Sequence, residues 1–183
     1  MSGKQNGIPT FHPTETESLH SIPTRFLVDG LLSFRTEGGW FFRGEKIDHK
    51  GTQRFLSAQL QRNEEGQYWV VNGPQRVLVE IEDVPFLIMS IDCQQEALVL
   101  LLNDGTEDIL DPERFFLAED GVMYAEVKSG KAGAKEGEGH LAMLSRQAVF
   151  QISDLFEEGE DGGFVLQWKG ERFPIKPRTA SVE

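Results

Sequence analysis

Two carboxylates occupy alternate positions of one largely apolar stretch, residues 76–82. Glu80 and Glu82 point to the same face of the strand that this stretch predicts, because successive side chains of a strand alternate between its faces. Their Cα atoms would lie about 6.6 Å apart, near the separations at which paired carboxylates hydrolyse glycosides. A solvated polar face of an antiparallel strand produces the same spacing. An acid–base hydrolase that uses Glu80 and Glu82 is therefore the weakest of the functions that the residues leave open.

An arginine at the start of a predicted helix offers anion binding. Arg146 directly follows Ser145, the expected N-cap. Helix N-termini present unpaired N–H groups, and an arginine adds a bidentate contact to phosphate. The helix dipole disfavours a cation at this end, so another group is expected to hold Arg146. An ion pair with an acidic side chain is the alternative to a bound anion.

Three tryptophans, Trp40, Trp69 and Trp168, lie in predicted strands. Their rings could stack on a base or another ring, although large aromatic side chains of a small β-rich protein usually fill its core. We assign Trp168 to a ligand.

Other site chemistries find little support. The four histidines lack the spacing of zinc ligands, and Asp92 would raise rather than lower the pKa of its neighbour Cys93. The sequence holds neither a phosphate-binding P-loop nor a dinucleotide-binding glycine motif. We therefore predict no catalytic residue, no metal site and no cofactor, and the residues favour a binding protein over an enzyme.

Composition sets further limits. The chain has 183 residues, and 18 Lys and Arg against 30 Asp and Glu give a net charge of −12. This charge repels nucleic acid. Nine basic and eighteen acidic side chains fall within residues 93–183, so the second half carries −9 of the total. One cysteine excludes an internal disulfide, and no apolar run resembles a secretion signal or a membrane span. A cytoplasmic location without a membrane partner follows.

Short apolar runs between turn signals predict an α+β protein with a mainly antiparallel sheet. We expect two helices, at 52–62 and 145–156, each covering a sheet face. Predicted strands lie at 25–28, 40–43, 68–71, 76–82, 86–91, 98–102, 122–127 and 164–168.

The two predicted helices resemble copies of each other. Phe55 and Leu60 of the first correspond to Phe150 and Leu155 of the second, and each helix leads into Glu-Glu-Gly and a strand. Two similar hairpins, however, precede the first helix but follow the second. The pattern therefore predicts two related β-rich halves rather than a tandem repeat.

We divide the chain into a flexible arm at 1–22, an N-terminal subdomain at 23–92, a C-terminal subdomain at 93–176 and a tail at 177–183. Residues 130–140 are rich in Gly, Ala, Lys and Glu, which predicts a mobile loop without a core face.

Five segments of the chain are distinctive in combination. In the first half these are residues 40–47, WFFRGEKI, and 79–86, VEIEDVPF. In the second half they are residues 124–128, YAEVK, 144–150, LSRQAVF, and 168–175, WKGERFPI. Together they resemble DUF1285, a bacterial domain family of unknown function. The resemblance implies a cytoplasmic protein of two related halves, the second loosely like a pleckstrin-homology fold. It also implies a role in signalling and a nucleotide-like ligand between the halves.

The first functional hypothesis is a small-ligand-binding module that accepts an anionic or nucleotide-like molecule at the interface of the halves. Its predicted ligand contacts are Arg146, Arg76, Trp168, Glu82 and Tyr124. The alternative is a protein-interaction adaptor that uses exposed sheet edges and the acidic second half to meet a basic partner.

Overall fold

The computed structural model describes residues 31–36, 39–73, 75–159 and 162–178. The predicted arm at 1–22, the predicted strand at 25–28 and most of the predicted tail lie outside these residues.

The first half of the chain forms a six-stranded sheet, called here the first sheet. Its strands are β1 (Leu32–Arg35), β2 (Gly39–Phe42), β3 (Glu45–Lys46), β4 (Leu60–Arg62), β5 (Tyr68–Asn72) and β6 (Gln75–Ile81). They lie in the order β3-β2-β1-β6-β5-β4, and only β1 and β6 run parallel within this order. Helix α1 (Lys50–Ala58) joins β3 to β4.

The second half forms a seven-stranded sheet, called the second sheet. Its strands are β7 (Phe86–Cys93), β8 (Leu98–Leu102), β9 (Glu107–Ile109), β10 (Phe115–Leu117), β11 (Met123–Val127), β12 (His140–Leu144) and β16 (Lys176–Pro177). Their order is β16-β10-β11-β12-β7-β8-β9, with parallel pairs at β12–β7 and β10–β16. A short 3₁₀ helix, Pro112–Arg114, precedes β10.

A third sheet of three antiparallel strands follows helix α2 (Arg146–Ile152) and a 3₁₀ turn, Ser153–Leu155. Its strands are β13 (Phe156–Glu158), β14 (Phe164–Trp168) and β15 (Glu171–Pro174). Helix α2 lies beside the C-terminal half of β7, beyond the point at which β12 ends. The Ser145 amide donates to the Ile88 carbonyl, and the Ile91 amide donates to Gln151 Oε1. The helix thus satisfies β7 backbone groups that a longer β12 would have paired.

One cluster of buried apolar side chains runs through both large sheets. From the first sheet it takes the alternate residues that face α1, such as Leu32, Phe34 and Val79. From the second sheet it takes Ile88 and Leu100, which are fully buried. The opposite face of each sheet is called here its outer face, although some of its side chains, such as Trp69, are buried. This division decides which candidate residues can meet.

The predicted α+β class with mainly antiparallel, β-rich halves is confirmed. The strands expected at 98–102 and 164–168 have the predicted bounds. Helix α1 ends at Ala58 rather than at 62, because Leu60 pairs with Val70 and the chain continues as β4. Helix α2 ends at Ile152 rather than at 156, because Phe156 starts β13.

The segment at 130–140 departs from the prediction of a loop without a core face. Ala132 packs against the core, and its carbonyl accepts the amide of Arg62 in β4. A Cβ on Gly133 would collide with the Arg62 backbone, so this close approach requires glycine. His140, the last residue of the segment, is buried and begins β12. The segment thus packs against the first half.

The related elements of the two halves have similar local geometry but different surroundings. Helix α1 leads into the β4–β5 pair, as α2 leads into the β13–β14 pair. The two similar hairpins turn at Arg43-Gly44 and Lys169-Gly170, and all four residues have φ between 52° and 80°. These positive angles match the twist of antiparallel strands. The first hairpin, however, belongs to a large sheet, whereas the second belongs to the small third sheet.

Candidate functional site

The five predicted ligand contacts are distributed over several elements. Arg76 lies in β6, Tyr124 in β11, Arg146 in α2 and Trp168 in β14, while Glu82 follows β6. Within the described part of the chain, no hydrogen bond, ion pair or ring contact joins any two of them. The structure therefore does not gather them into one site.

The interface between the halves, where a ligand was expected, holds a network of polar side chains. Ser57 Oγ in α1 accepts hydrogen bonds from Trp40 Nε1 at 2.8 Å and from Asn103 Nδ2 at 3.1 Å. Arg54, one turn earlier in α1, donates to the carbonyls of Asp104 and Gly105 at 3.2 and 3.3 Å. Helix α1 is thereby fixed to the β8–β9 turn of the second half.

A buried histidine forms a further contact between the halves. His140 is 1% exposed, and its Nε2 lies 3.0 Å from the carbonyl of Lys131. A carbonyl only accepts, so Nε2 carries the proton, and Nδ1 accepts from the hydroxyl of Tyr68 at 3.0 Å. Burial lowers the pKa of His140 and raises the pKa of Tyr68. Both groups are therefore held neutral, each with its partner.

A buried ion pair completes the interface. Lys128 Nζ lies 2.6 Å from Asp104 Oδ2, with the two side chains 14% and 1% exposed. The ammonium also donates to Thr106 Oγ1 and lies 5.2 Å from the centre of the Phe86 ring. Asp104 Oδ1 accepts from the amide and the hydroxyl of Thr106. The polar groups of the interface thus bind one another.

Tyr124 in β11 belongs to a second cluster, which forms around Asp83 in the segment that connects the halves. Its hydroxyl donates to Asp83 Oδ2 at 2.9 Å, and Arg178 donates to both carboxylate oxygens of Asp83. The Arg178 guanidinium also covers the Tyr124 ring at 3.9 Å. Burial first, and then the bond to the Asp83 carboxylate, raise the pKa of Tyr124 to about 12. Hydrogen bonding to Asp83 raises the pKa of Arg178.

The remaining predicted contacts have simpler surroundings. Ser145 caps α2, because its hydroxyl accepts a hydrogen bond from the amide of Ala148, while Arg146 is exposed. Trp168 is half-buried and packs against the core. Glu80 and Glu82 are both exposed, and the Glu82 amide donates to the Phe34 carbonyl. Within the described ranges, no group of three or more His, Cys, Asp or Glu side chains could hold a metal ion.

An apolar cavity of about 120 Å³ opens between α1 and the core-facing side of the β5–β6 hairpin. Leu56 in α1 and Val70 and Val77 in the hairpin line it, and Phe55, 46% exposed, stands at its wall. Asn72 and Gln75, paired across the hairpin, contribute the polar part of the lining. The other two lining residues are Leu32 and Phe42. None of these eight side chains is titratable.

A larger depression of about 310 Å³ lies on the third sheet. It is shallow, and its lining includes Gly159 and Gly163. Among its described lining residues only Arg172 is charged, and 3.7 Å separate its guanidinium from the Glu157 carboxylate.

The predicted residues missed most of the structured polar chemistry. His140 falls within the segment predicted to be a mobile loop, and no sequence motif marks Asp83 as a site residue. Arg178 lies 95 residues from Asp83, so nothing local marks their contact. The alternating pattern of β5 does mark Trp69 as facing away from Val70 and the cavity.

A family model described as "Protein of unknown function (DUF2946)" and labelled DUF2944 matches residues 17–181. Among curated proteins, none matches the chain.

Two solved structures share the fold. A DUF1285 family protein from Silicibacter pomeroyi DSS-3 is 22% identical, has a TM-score of 0.60, and aligns over 80% of this chain and 79% of its own. A DUF1285 family protein from Shewanella baltica OS155 is 19% identical, has a TM-score of 0.53, and aligns over 68% of this chain and 91% of its own. The predicted resemblance to DUF1285 is thus confirmed in the fold.

No helix within the described ranges is long and apolar enough to cross a lipid bilayer.

Proposed function

Since the chain belongs to the DUF2944 family of proteins of unknown function, and its fold assigns no activity, we propose from its own side chains that it is a non-catalytic small-ligand-binding module. The ligand inserts one ring or branched aliphatic group into the cavity beneath α1. The observation that carries this proposal is an apolar cavity whose lining has two carboxamides and no titratable group.

The size of the cavity limits what can enter it. A cavity of about 150 Å³ lined by Leu, Ile and Phe is large enough for benzene. At about 120 Å³, this cavity suits a single ring or a similar apolar group, with the rest of the ligand outside. A nucleotide-like ligand would therefore insert its base and leave its phosphates at the surface.

The polar part of the lining supports specific recognition. Asn72 and Gln75 lie opposite each other beside the turn of the β5–β6 hairpin, and neither side chain has a hydrogen-bond partner among the described residues. A carboxamide both donates and accepts, so the pair can read the edge of a heterocycle or an amide. Few polar groups in a mostly apolar pocket is the usual composition of a ligand site.

Binding rather than catalysis fits this lining. General acid–base and nucleophilic catalysis require a titratable or nucleophilic group within reach of the substrate, and the eight lining residues supply none. A module that binds a metabolite without transforming it suits a sensor in a signalling pathway, which is the role that we propose.

A thermal-shift screen of the full chain tests the proposal, with nucleosides, nucleotides, sugar phosphates and organic acids as probes. A ligand that binds only the folded state adds RT ln(1 + [L]/Kd) to stability, about 2.7 kcal/mol at one hundred times Kd. Val77→Phe fills the cavity and should abolish the shift. Val99→Phe enlarges a half-buried strand valine on the second sheet and should preserve it.

Asn72→Ala and Gln75→Ala provide variants with little effect on packing, and each should weaken binding. A shift that survives Val77→Phe and both alanine variants would contradict the cavity as the site. A screen without any stabilising probe would contradict the proposed function.

A protein-interaction adaptor remains the second candidate, favoured by exposed apolar side chains in the second half. Ile109 at the sheet edge is 65% exposed and Phe150 on α2 is 81% exposed, with Met89 and Leu101 also exposed. Exposed apolar residues surrounded by polar ones are common where proteins bind each other. A pull-down with immobilised full chain at low salt tests this candidate, and Phe150→Ser should reduce capture of a specific partner.

A further inference from the structure

Buried side-chain atoms without a hydrogen-bond partner are few among the described residues, and two of them lie together. The four such atoms are Thr36 Oγ1, Trp69 Nε1, Arg76 Nε and Asp104 Oδ2. Asp104 Oδ2 is compensated by the ion pair with Lys128, and Thr36 lies at the end of β1. Trp69 and Arg76, in contrast, lie on adjacent strands of the first sheet.

Trp69 and Arg76 share the outer face of this sheet. Trp69 pairs with Leu78, and Val71 pairs with Arg76, so Trp69 and Arg76 are diagonal neighbours. Side chains at such positions have Cβ atoms roughly 7–8 Å apart or somewhat less, within reach of a tryptophan and an arginine. Val70 follows Trp69 in β5, Val77 follows Arg76 in β6, and both valines line the cavity. Because successive side chains of a strand alternate between its faces, Trp69 and Arg76 point away from the cavity.

The two donors are poorly placed for a purely structural role. Trp69 is 5% exposed, and its indole N–H has no acceptor. A buried donor without a partner is destabilising and rare, so it calls for an explanation such as a binding site. Arg76 is half-buried and makes no ion pair with any described carboxylate, although acidic residues outnumber basic ones by 30 to 18. Glu80, four residues further along β6 on the same face, is exposed.

We propose that Trp69 and Arg76 form a second binding site, for the oxyanion of a small organic acid or phosphate ester. The guanidinium supplies the positive charge and a planar set of donors that fits carboxylate or phosphate oxygens. The indole N–H supplies one further donor. Val71 and Leu78, both half-buried on this face, offer an apolar surface to the body of the ligand.

The site is closed in this structure, because both nitrogens are shielded from solvent. Binding therefore requires a rearrangement that exposes both nitrogens. The site lies on the opposite face of the β5–β6 hairpin from the cavity and goes beyond the proposed function, so either can exist without the other.

Indole ¹H–¹⁵N spectra of the full chain test the site. The probes are inorganic phosphate and benzoate, each compared with chloride at constant ionic strength. Trp69→Phe assigns the Trp69 signal among the three tryptophans. We expect a saturable shift of this signal with at least one probe. Phosphate alone would identify a phosphate-binding site, and benzoate alone a carboxylate-binding site.

Arg76→Met should weaken binding by roughly tenfold or more, because it removes a charged hydrogen-bonding partner while keeping an apolar side chain. Arg172→Met, at another strand arginine, should leave the Kd unchanged. Val77→Phe blocks the cavity and should also leave the Trp69 response in place, which separates this site from the proposed function.

Trp69→Phe removes the indole N–H together with part of the ring system, so binding to this variant, followed by calorimetry, should weaken by several-fold. An unchanged Kd in Arg76→Met, or no shift of the Trp69 signal with either probe, would overturn the proposal.

Discussion

The interface between the halves and the outer face of the first sheet both bury polar side chains, but they treat them differently. At the interface, Lys128 has Asp104, and His140 has both Tyr68 and the Lys131 carbonyl. On the outer face, Trp69 Nε1 and Arg76 Nε have no partner. Paired groups hold the fold together, whereas unpaired donors weaken it unless a ligand supplies the acceptor. The comparison therefore separates polar residues that stabilise the fold from those that we propose to bind a ligand.

The largest effect is expected at the buried ion pair. Asp104→Ala leaves the Lys128 ammonium without its counterion and removes the acceptor of Thr106. Breaking a buried pair in this way typically lowers the free energy of unfolding by about 3–5 kcal/mol. Urea denaturation measures the loss. Glu96→Ala serves as the control, because Glu96 forms an exposed ion pair with Lys169 and should have no measurable effect. Equal stability of the two variants would remove the distinction.

A smaller loss is expected at Ser57. Ser57→Ala removes the acceptor of both Trp40 Nε1 and Asn103 Nδ2. Leaving a buried donor unpaired lowers the free energy of unfolding by about 1–3 kcal/mol. The change from serine to alanine creates little additional space, so the lost hydrogen bonds account for most of the effect. Thermal or urea unfolding provides the measurement. Ser153→Ala is a suitable control, because the exposed Ser153 hydroxyl donates to the Phe150 carbonyl of the preceding helix α2.

The third prediction concerns the pH dependence of stability that buried His140 causes. Burial holds the pKa of His140 in the folded protein below its ordinary value of about 6.5. At pH values between the folded-state pKa and about 6.5, the unfolded chain therefore binds more protons than the folded one. Stability is therefore complete above about pH 6.5 and falls as the pH drops toward the folded-state pKa. Urea midpoints between pH 5 and 8 measure this slope. His140→Gln should flatten it, and an unchanged slope would show that other groups cause the acid sensitivity.

The smallest effect, of opposite sign, is expected at Arg76. Arg76→Met removes an unpaired buried donor and keeps an apolar stem, so the unfolding free energy should stay constant or rise by up to about 1 kcal/mol. Urea denaturation without added phosphate or organic acid measures it. A loss as large as that of Ser57→Ala would show that Arg76 has a structural partner, and the two regions would then no longer differ.

Strands with strong local patterns were predictable from the sequence. Residues 98–102 are an unbroken apolar run, and Asn72-Gly73 marks the turn between β5 and β6. Strands of two to four residues, such as β3 and β16, are too short to show a period. Residues 60–62 continued the helical pattern of α1, and only the pairing of Leu60 with Val70 makes them a strand.

The candidate site was less predictable, because its parts are joined by tertiary contacts. The sequence indicated Arg76 as an anion contact and Tyr124 as a ligand contact, and these assignments remain predictions. It did not indicate that Arg76 and Trp69 share a face without partners, since this depends on the register between β5 and β6. The network around His140 was hidden because Tyr68 lies 72 residues away.

The contact between Asp83 and Arg178 has a consequence for how the protein folds. It joins residues 95 positions apart, and bringing distant segments together requires a large loss of chain entropy. Proteins dominated by such distant contacts fold slowly, because the entropy of closing long loops is lost before the contacts that compensate for it are made. The parallel pair of β16 with β10 adds a second distant closure in the same region. We therefore expect the connection around Asp83 to become rigid late, after the hairpins of each half have formed.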